Sequence, residues 1–318
     1  MGTPDPDHQQ QVVNLAKTVD GHEQWLTDHN KAFEQANAWV ARLETELSAR
    51  PHPAQLDALA ERIENLERAN SVRVFMEWIN HARLTTGPRV SVIMPTHNRA
   101  AFLPAAIASV QAQTYPTWEL VIVDDASDDS TPELLSTVDD PRVRSVRVRR
   151  GGCCAARNAG LDVAGGEIIV YLDDDNVMHP AWLRSVVWAF EQRPDIDVLY
   201  GAFVLDDVSR VNRQGAGSLP TMFLRSYDRQ TLLTENLADI SAVAHRAGLP
   251  GARFDESLIE MGDWDLLCTL TAERDPLVLP AIACFYTTDA PNRLSGGPTY
   301  QADYDTVRRK HTTERAAP

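Results

Sequence analysis

Glu167-Ile168-Ile169-Val170-Tyr171-Leu172-Asp173-Asp174-Asp175-Asn176 is the stretch on which the reading of this chain turns. A short apolar run with β-branched residues predicts a buried strand, and this one stops abruptly in three carboxylates. Three adjacent negative charges repel one another unless something positive sits among them. A hard divalent cation such as Mg²⁺ or Mn²⁺ meets that need, because it takes oxygen ligands and bridges one or two carboxylates to substrate phosphates. The plain alternative is a solvated acidic turn, for which Asp and Asn are ordinary residues.

Outward from that strand, the pattern from Thr85-Thr86-Gly87-Pro88 onward alternates strands and helices. Arg89 to Met94 reads as a strand, Ala101 to Gln113 as a helix, and Trp118 to Val123 as a strand ending in Asp124-Asp125. Thr131 to Ser136 follows as a helix, Val143 to Val148 as a strand and Cys154 to Val163 as a helix. Such alternation with apolar strands implies an α/β fold with a mostly parallel sheet covered on both faces. Ligands in these sheets bind beyond the carboxyl ends of the strands, which puts Pro95 to Arg99, Asp124 to Ser130 and Asp173 to Asn176 on one rim.

Each rim segment has a chemical use. Thr96, His97, Asn98 and Arg99 carry polar side chains able to hydrogen-bond a nucleobase or ribose. The carboxylates of Asp124 and Asp125 accept only, which suits the imino and hydroxyl donors of a uridine. Gly151-Gly152-Cys153-Cys154-Ala155-Ala156-Arg157-Asn158 is a glycine turn entering a helix. Backbone amides at a helix start, with Arg157 beside them, favour an anionic or polar ligand. Taken singly, Asp124 also reads as a turn residue and Arg157 as a surface charge.

Four segments taken together carry a resemblance. Val90-Ser91-Val92-Ile93-Met94-Pro95-Thr96-His97-Asn98-Arg99, Val121 to Thr131, Ala156-Arg157-Asn158-Ala159-Gly160 and Tyr171 to Asn176 resemble, in order and spacing, the inverting family 2 glycosyltransferases of GT-A fold. The match runs from Val90 to about Asp289, and a four-part coincidence is far more specific than a lone acidic triplet. The resemblance implies a Rossmann-like nucleotide-diphospho-sugar transferase fold. It assigns the first two segments to the nucleotide of a sugar donor, usually uridine diphosphate. By position, Thr96, Asp124 and Asp125 would meet the base, and Asp173 and Asp174 the ribose and sugar. Asp175, with Asp173, would carry Mg²⁺ or Mn²⁺, while Pro95, Asn98, Arg99 and Arg157 complete the donor side.

Phe254-Asp255-Glu256-Ser257-Leu258-Ile259-Glu260-Met261-Gly262-Asp263-Trp264-Asp265-Leu266 resembles the family's segment in which an acidic pair precedes a tryptophan at a helix start. The aspartate there is the family's general base and maps onto Asp263. A glutamate usually precedes it; here the residue is Gly262, which leaves the role of Glu260 open. On the residues alone Asp263 is equally a helix N-cap, and Trp264 either floors the sugar site or packs in the core. After a strand at Leu277 to Tyr286 comes Thr287 to Pro298, rich in Gly, Pro and small polar residues as a lid would be. In the family a loop near this position closes over the donor, so Arg293 is expected to reach the diphosphate. Leu199 to Gly251, the expected acceptor side, carries no motif with a chemical reading.

The N-terminal residues 1–86 differ in character. Val12, Val19, Leu26, Phe33, Val40 and Leu47 recur every seven residues, Pro51 and Pro53 interrupt, and Leu56, Leu59, Ile63 and Leu66 begin a second run. A coiled-coil-like helical hairpin follows, packed on the main domain or on a second copy in a homodimer. His22 and His29 read as polar residues at its seam rather than metal ligands, since no Cys or HExxH pattern accompanies them. The expected domains are therefore 1–86, 87–300 and a tail of 301–318.

Composition narrows the classes. A formal charge of −15 argues against a nucleic-acid surface, the only dense basic cluster being Arg142 to Arg150. There is no run of eighteen apolar residues and no signal-like start, so a soluble cytoplasmic protein without a transmembrane segment is expected. Four cysteines without CxxC spacing are expected as thiols. The family's processive synthases carry Gln-x-x-Arg-Trp and membrane helices; lacking both, this chain is expected to move single sugars to a peptide, protein, glycan or small molecule. Two rivals stand beside that reading. A sugar nucleotidyltransferase would show a glycine-rich Arg/Lys loop where Pro95-Thr96-His97-Asn98 stands, and a non-catalytic scaffold would work through the hairpin.

Overall fold

Three apolar runs, each closed by polar residues, and one strand that mixes Val with Arg and Ser become the parallel part of the sheet. In the computed structural model, which describes residues 38–42, 53–84, 87–206, 221–287 and 297–313, these are β1 (Val90–Thr96), β2 (Trp118–Asp125), β3 (Val143–Val148) and β4 (Ile168–Tyr171). β1 is flanked by β2 and β4, and β3 pairs with β2, all in parallel. β1, β2 and β4 are buried along their whole length, whereas the edge strand β3 is half exposed, with Arg144, Ser145 and Arg147 open to solvent. The crossovers are helices: α2 (Leu103–Gln111), α3 (Thr131–Ser136) and α4 (Cys153–Val163). Gly160 lets α4 lie close on the sheet, since a Cβ there would stand 2.6 Å from Ile93 Cγ2.

Beyond β4 the sheet is no longer parallel. Its order is β3-β2-β1-β4-β8-β6-β9-β5, with β7 added to β6. Here β5 is Val177–Met178, β6 Val198–Asp206, β7 Thr221–Phe223, β8 Val243–Arg246 and β9 Leu277–Thr287. β8 runs antiparallel to β4 and β6, β7 to β6, and β5 to β9, while β6 and β9 are parallel. Among the described residues four pairings are parallel and four antiparallel, so the sheet is mixed rather than mostly parallel. β8 follows directly on a 3-10 turn at Ile240–Ala242 and enters beside β4 from the opposite end. Three further helices complete this part: α5 (Trp182–Gln192), the short α6 (Arg229–Leu232) and α7 (Gly262–Leu270). α8 (Tyr300–Thr313) closes the described chain.

The chain divides into two compact units at Leu66/Glu67, within a 27-residue helix, α1 (Pro53–Ile79). The last turns of that helix belong to the α/β unit rather than to the N-terminal extension, because Val72, Met76 and Ile79 are buried in its core. Arg184 of α5 fixes this end by donating Nε to Ile79 O at 2.7 Å. In the first unit, Arg62 lies over the Trp39 ring at 5.4 Å. Most of the expected heptad stripe, with His22 and His29, lies outside the described residues, as does most of the expected lid. Among the described residues no helix is long and apolar enough to cross a membrane.

Candidate active site

The carboxyl ends of β1, β2 and β4, the start of α4 and the start of α7 enclose one cleft of about 700 Å³. Pro95, Thr96, His97, Asn98, Arg99, Asp125, Arg157, Asp173, Asp174, Asp175 and Asp263 all line it, although they are spread over most of the α/β unit in sequence. Asp124 does not line it. Neighbouring strand residues point to opposite faces, so two adjacent aspartates cannot both face the cleft from a regular strand. Asp124 instead accepts from Ser127 N at 2.8 Å and pairs with Arg147. Arg293 lies outside the described residues.

The wall of the cleft at the ends of β1 and β2 is built by loops stitched to each other. Asn98 sits in the left-handed region at φ 55°, which Asn tolerates, and its carboxamide donates to Asp128 Oδ1 at 2.6 Å and accepts from Asp128 N at 2.8 Å. Its side chain thus joins the β1 and β2 loops. His97 Nδ1 faces Asp125 O at 2.9 Å, so that nitrogen donates and, in the neutral ring, Nε2 is an acceptor. Asp125 accepts from Gly151 N at 2.7 Å and Gly152 N at 2.9 Å, tying β2 to the turn before α4. Gly152 adopts φ 87°, a conformation suited to glycine, and nothing lies where its side chain would be.

The acidic triplet meets two arginines. Arg157, buried in α4 and lying over the Phe254 ring at 5.2 Å, donates Nη2 to Asp173 Oδ1 at 2.6 Å. Arg99 stands 4.0 Å from Asp174 Oδ1 and 3.9 Å from Asp175 Oδ2. Burial pushes the Asp174 carboxyl up to about 7, and the Asp175 and Asp173 charges add to the push. Asn176 is structural: it donates to Ser241 Oγ at 3.1 Å and accepts from Thr287 N at 3.1 Å, holding the triplet against the end of β9.

Among the described residues no three His, Cys, Asp or Glu groups converge closely enough to hold a metal by themselves. Mg²⁺ and Mn²⁺ do not require that, since they commonly keep waters and take substrate phosphate oxygens beside one or two carboxylates. Asp173 and Asp175 offer hard oxygen donors at the cleft wall, so the donor set fits such an ion.

On the opposite side Asp263, in the first turn of α7, accepts from Trp264 N and Asn236 Nδ2, each at 2.8 Å. Burial pushes its carboxyl up, and the Arg157 guanidinium works against that rise. Trp264 is core: it is 1% exposed, donates Nε1 to Leu232 O at 2.6 Å and stacks on Tyr304 at 5.2 Å. Glu260 is occupied by residues 297–299, accepting from Gly297 N at 2.8 Å, Thr299 N at 3.1 Å and Thr299 Oγ1 at 2.6 Å. Its carboxylate anchors the chain after the 288–296 segment. Gly262 also has a physical reason, because a Cβ there would overlap Cys154 Sγ. The glutamate that the resemblance leads one to expect has no room while Cys154 fills that space.

Asn236 and Asp239 escape a reading of the sequence. Asp239 lines the cleft, and burial, then the charges of Asp173 and Asp263, push its carboxyl up. The one local signal is Asp-x-Ser capping, with Asp239 accepting from Ser241 N at 2.9 Å ahead of β8.

The profile of the family described as Glycosyl transferase family 2 matches residues 91–246. WcaA of Escherichia coli, named as a colanic acid biosynthesis glycosyl transferase, is 30% identical over 193 residues, 60% of this chain and 68% of that protein. The O-antigen biosynthesis protein RfbC of Myxococcus xanthus is 28% identical over 242 residues, 70% of this chain but 18% of that protein. The succinoglycan biosynthesis protein ExoO of Rhizobium meliloti is 30% identical over 201 residues, 58% of this chain and 56% of that protein. The chain thus spans less than two thirds of the length of several relatives that it matches. Residues 1–349 of S. aureus TarS, solved with UDP-GlcNAc, superpose with a TM-score of 0.58 at 20% identity, covering 71% of this chain and 66% of that one. The mannosyltransferase PcManGT of Pyrobaculum calidifontis, solved with GDP-Man and Mn²⁺, gives 0.52 at 19% identity, covering 80% and 74%. These two likenesses establish the GT-A fold. By its motifs, its fold and its similarity along most of WcaA, the chain belongs to glycosyl transferase family 2.

Proposed function

We propose that the chain moves a single sugar, with inversion, from a UDP-sugar to an acceptor nucleophile on a peptide, protein, glycan or small molecule. The observation that carries the reading is that the Asp173–Asp175 triplet and Asp263 line one cleft. Pro95, Thr96, His97, Asn98 and Asp125 form the side suited to the nucleoside, where each Asp125 oxygen takes one amide of the Gly151–Gly152 turn and keeps a further lone pair for the donor groups of a uridine. Arg99 and Arg157 supply positive charge beside the diphosphate position, and Asp173 and Asp175 would hold Mn²⁺ or Mg²⁺ there. When bound, the ion supplies charge neutralisation on the departing diphosphate.

Asp263 accepts the proton of the acceptor as that nucleophile attacks the anomeric carbon on the face opposite the leaving group. General base catalysis of this kind contributes typically about 10² to 10⁴ in rate. Burial favours it by raising the proton affinity of the carboxylate, and the fixed N–H donors of Asn236 and Trp264 keep it oriented. Arg293 is assigned to the diphosphate through the resemblance alone. The test is UDP release from a panel of UDP-sugars with and without Mn²⁺, comparing wild type with Asp175→Ala and Asp263→Asn. Release that requires the ion and is lost in both variants supports the transferase; no release from any donor favours a non-catalytic role, and consumption of a sugar 1-phosphate with UTP favours a nucleotidyltransferase.

A further inference from the structure

We propose that Asn236 is the positioning residue for the base, fixing which lone pairs of the Asp263 carboxylate face the cleft. The inference rests on the assignment of Asp263 as the base. Asp263 Oδ2 accepts from Asn236 Nδ2 at 2.8 Å, and Oδ1 accepts from Trp264 N at 2.8 Å. Each carboxylate oxygen therefore has one fixed donor, and the remaining lone pair on each is what an acceptor proton can meet. Remove the carboxamide and the carboxylate is held at one oxygen only, free to turn about its χ2 torsion.

The direction of the amide is set by a second contact. Asn236 Oδ1 accepts from Ala238 N at 3.3 Å, so the nitrogen is the atom turned toward Asp263; the flipped amide would set two oxygens against each other. The loop carrying Asn236 is held by contacts that bypass Asp263: Trp264 Nε1 to Leu232 O at 2.6 Å and Tyr304 Oη to Thr234 O at 2.9 Å. Leu237 and Ala238 are buried beside it. The donor thus stands on a fixed support rather than following the carboxylate.

A neutral donor is the suitable chemistry here. A lysine or arginine at the same place would orient the carboxylate but also pair off its charge and lower its basicity. An amide orients it at smaller cost to proton affinity.

The test compares Asn236→Ala, the near-isosteric Asn236→Leu and Asp263→Asn. The readouts are UDP release from UDP-glucose, UDP-galactose and UDP-N-acetylglucosamine with Mn²⁺ and water as nucleophile, UDP binding by calorimetry, and thermal melting. Asn236→Ala and Asn236→Leu are each expected to lose about 10- to 100-fold in kcat, the scale of a reacting group held about 1 Å out of place, with UDP affinity and donor KM within about twofold. Asn236→Leu keeps the side-chain shape and adds no charge, so it isolates the lost donor even where the alanine variant melts early. Retention of kcat within about threefold in a folded Asn236→Leu, beside a dead Asp263→Asn, overturns the proposal and leaves the base assignment standing. A parallel fall in UDP affinity also overturns it, since Asn236 would then serve the donor site. An Asp263→Asn enzyme with the wild-type rate removes the base assignment itself.

Discussion

Replacing Gly262 by alanine adds one methyl group at the start of the helix that carries Asp263, and the structure leaves it no room. The new Cβ would overlap Cys154 Sγ and stand 3.6 Å from Phe254 Cδ1. Cys154 is 2% exposed and Phe254 3%, so the added methyl would press on buried side chains at the cleft wall. Overpacking of this kind costs about 1–3 kcal/mol. In a unit of this size each kcal/mol lowers the melting temperature by about 2–4 °C, giving an expected fall of about 2–12 °C for Gly262→Ala. Cys154→Ala alone removes a buried sulfur and is expected to cost about 1 kcal/mol. The double variant is the decisive one: with the sulfur gone the methyl fits, so it should be more stable than the sum of the two losses by about 1–2 kcal/mol, within the range of couplings seen between touching residues. Thermal and urea unfolding of the four proteins completes the cycle, and UDP release should follow the same pattern because Asp263 is the next residue. Additivity within about 0.5 kcal/mol would refute the steric account of why glycine stands at this position.

Metal stripping by EDTA is expected to abolish UDP release, with Mn²⁺ or Mg²⁺ restoring it in wild type and not in Asp175→Ala; metal-independent turnover would exclude the assigned role of the triplet. Asp263→Asn should lower kcat about 10²- to 10⁴-fold while UDP binding by calorimetry stays near wild type. Asp265, 1% exposed, accepts from Lys310 Nζ and His311 Nε2, each at 2.8 Å, so Asp265→Ala should cost roughly 3–5 kcal/mol in urea unfolding. His245 accepts the Tyr171 hydroxyl at Nε2 and donates Nδ1 to Arg246 O, and burial lowers it from 6.5 to about 4. Between those values the unfolded chain binds the extra proton, so stability is full above pH about 6.5 and falls by about 3 kcal/mol as pH drops to about 4. His245→Gln should flatten that part of the urea-midpoint profile, and an unchanged slope would exclude the histidine as its source.

The first half of the fold was legible because three of its four strands are runs of apolar residues that stop in polar ones. Val90–Thr96, Trp118–Asp125 and Ile168–Tyr171 need no tertiary information to be seen. Their common rim follows from the parallel order alone. In the second half β9 was legible as Leu277 to Tyr286 and β6 was missed, while β5 has two residues, β7 three and β8 four, too short for a period to register. At the site, reading Asp124 and Asp125 as a pair overlooked strand alternation, which sends the first to Arg147 and Ser127. Asn236 lies in a segment with no repeating pattern, and its partner Asp263 is 27 residues away. Only the folded chain brings that amide to that carboxylate. Cys154 and Gly262, 108 positions apart by their numbers, show the same limit, since neither residue type announces that the other must be small or large.

The charge of the cleft bears on how such a site works. Its walls include eight carboxylates, from Asp125, Asp173, Asp174, Asp175, Asp239, Glu256, Glu260 and Asp263, and three guanidiniums, from Arg99, Arg150 and Arg157. Several of the carboxylates are structurally occupied: Asp125 by the amides of the Gly151–Gly152 turn, Glu256 by Asn158 Nδ2 and Glu260 by residues 297–299. The triplet still outnumbers the arginines that touch it, and a diphosphate brought beside it would add more negative charge. Two like unit charges 4 Å apart repel by about 4 kcal/mol at an effective dielectric of 20, enough to oppose donor binding strongly. A divalent cation reverses the sign of that interaction, which is why the donor is expected to load together with its ion. The ion and the arginines would then draw on the triplet. Burial raises the proton affinity of both Asp239 and Asp263; Ser241 N holds the first, and Asn236 and Trp264 hold the second with one donor on each oxygen.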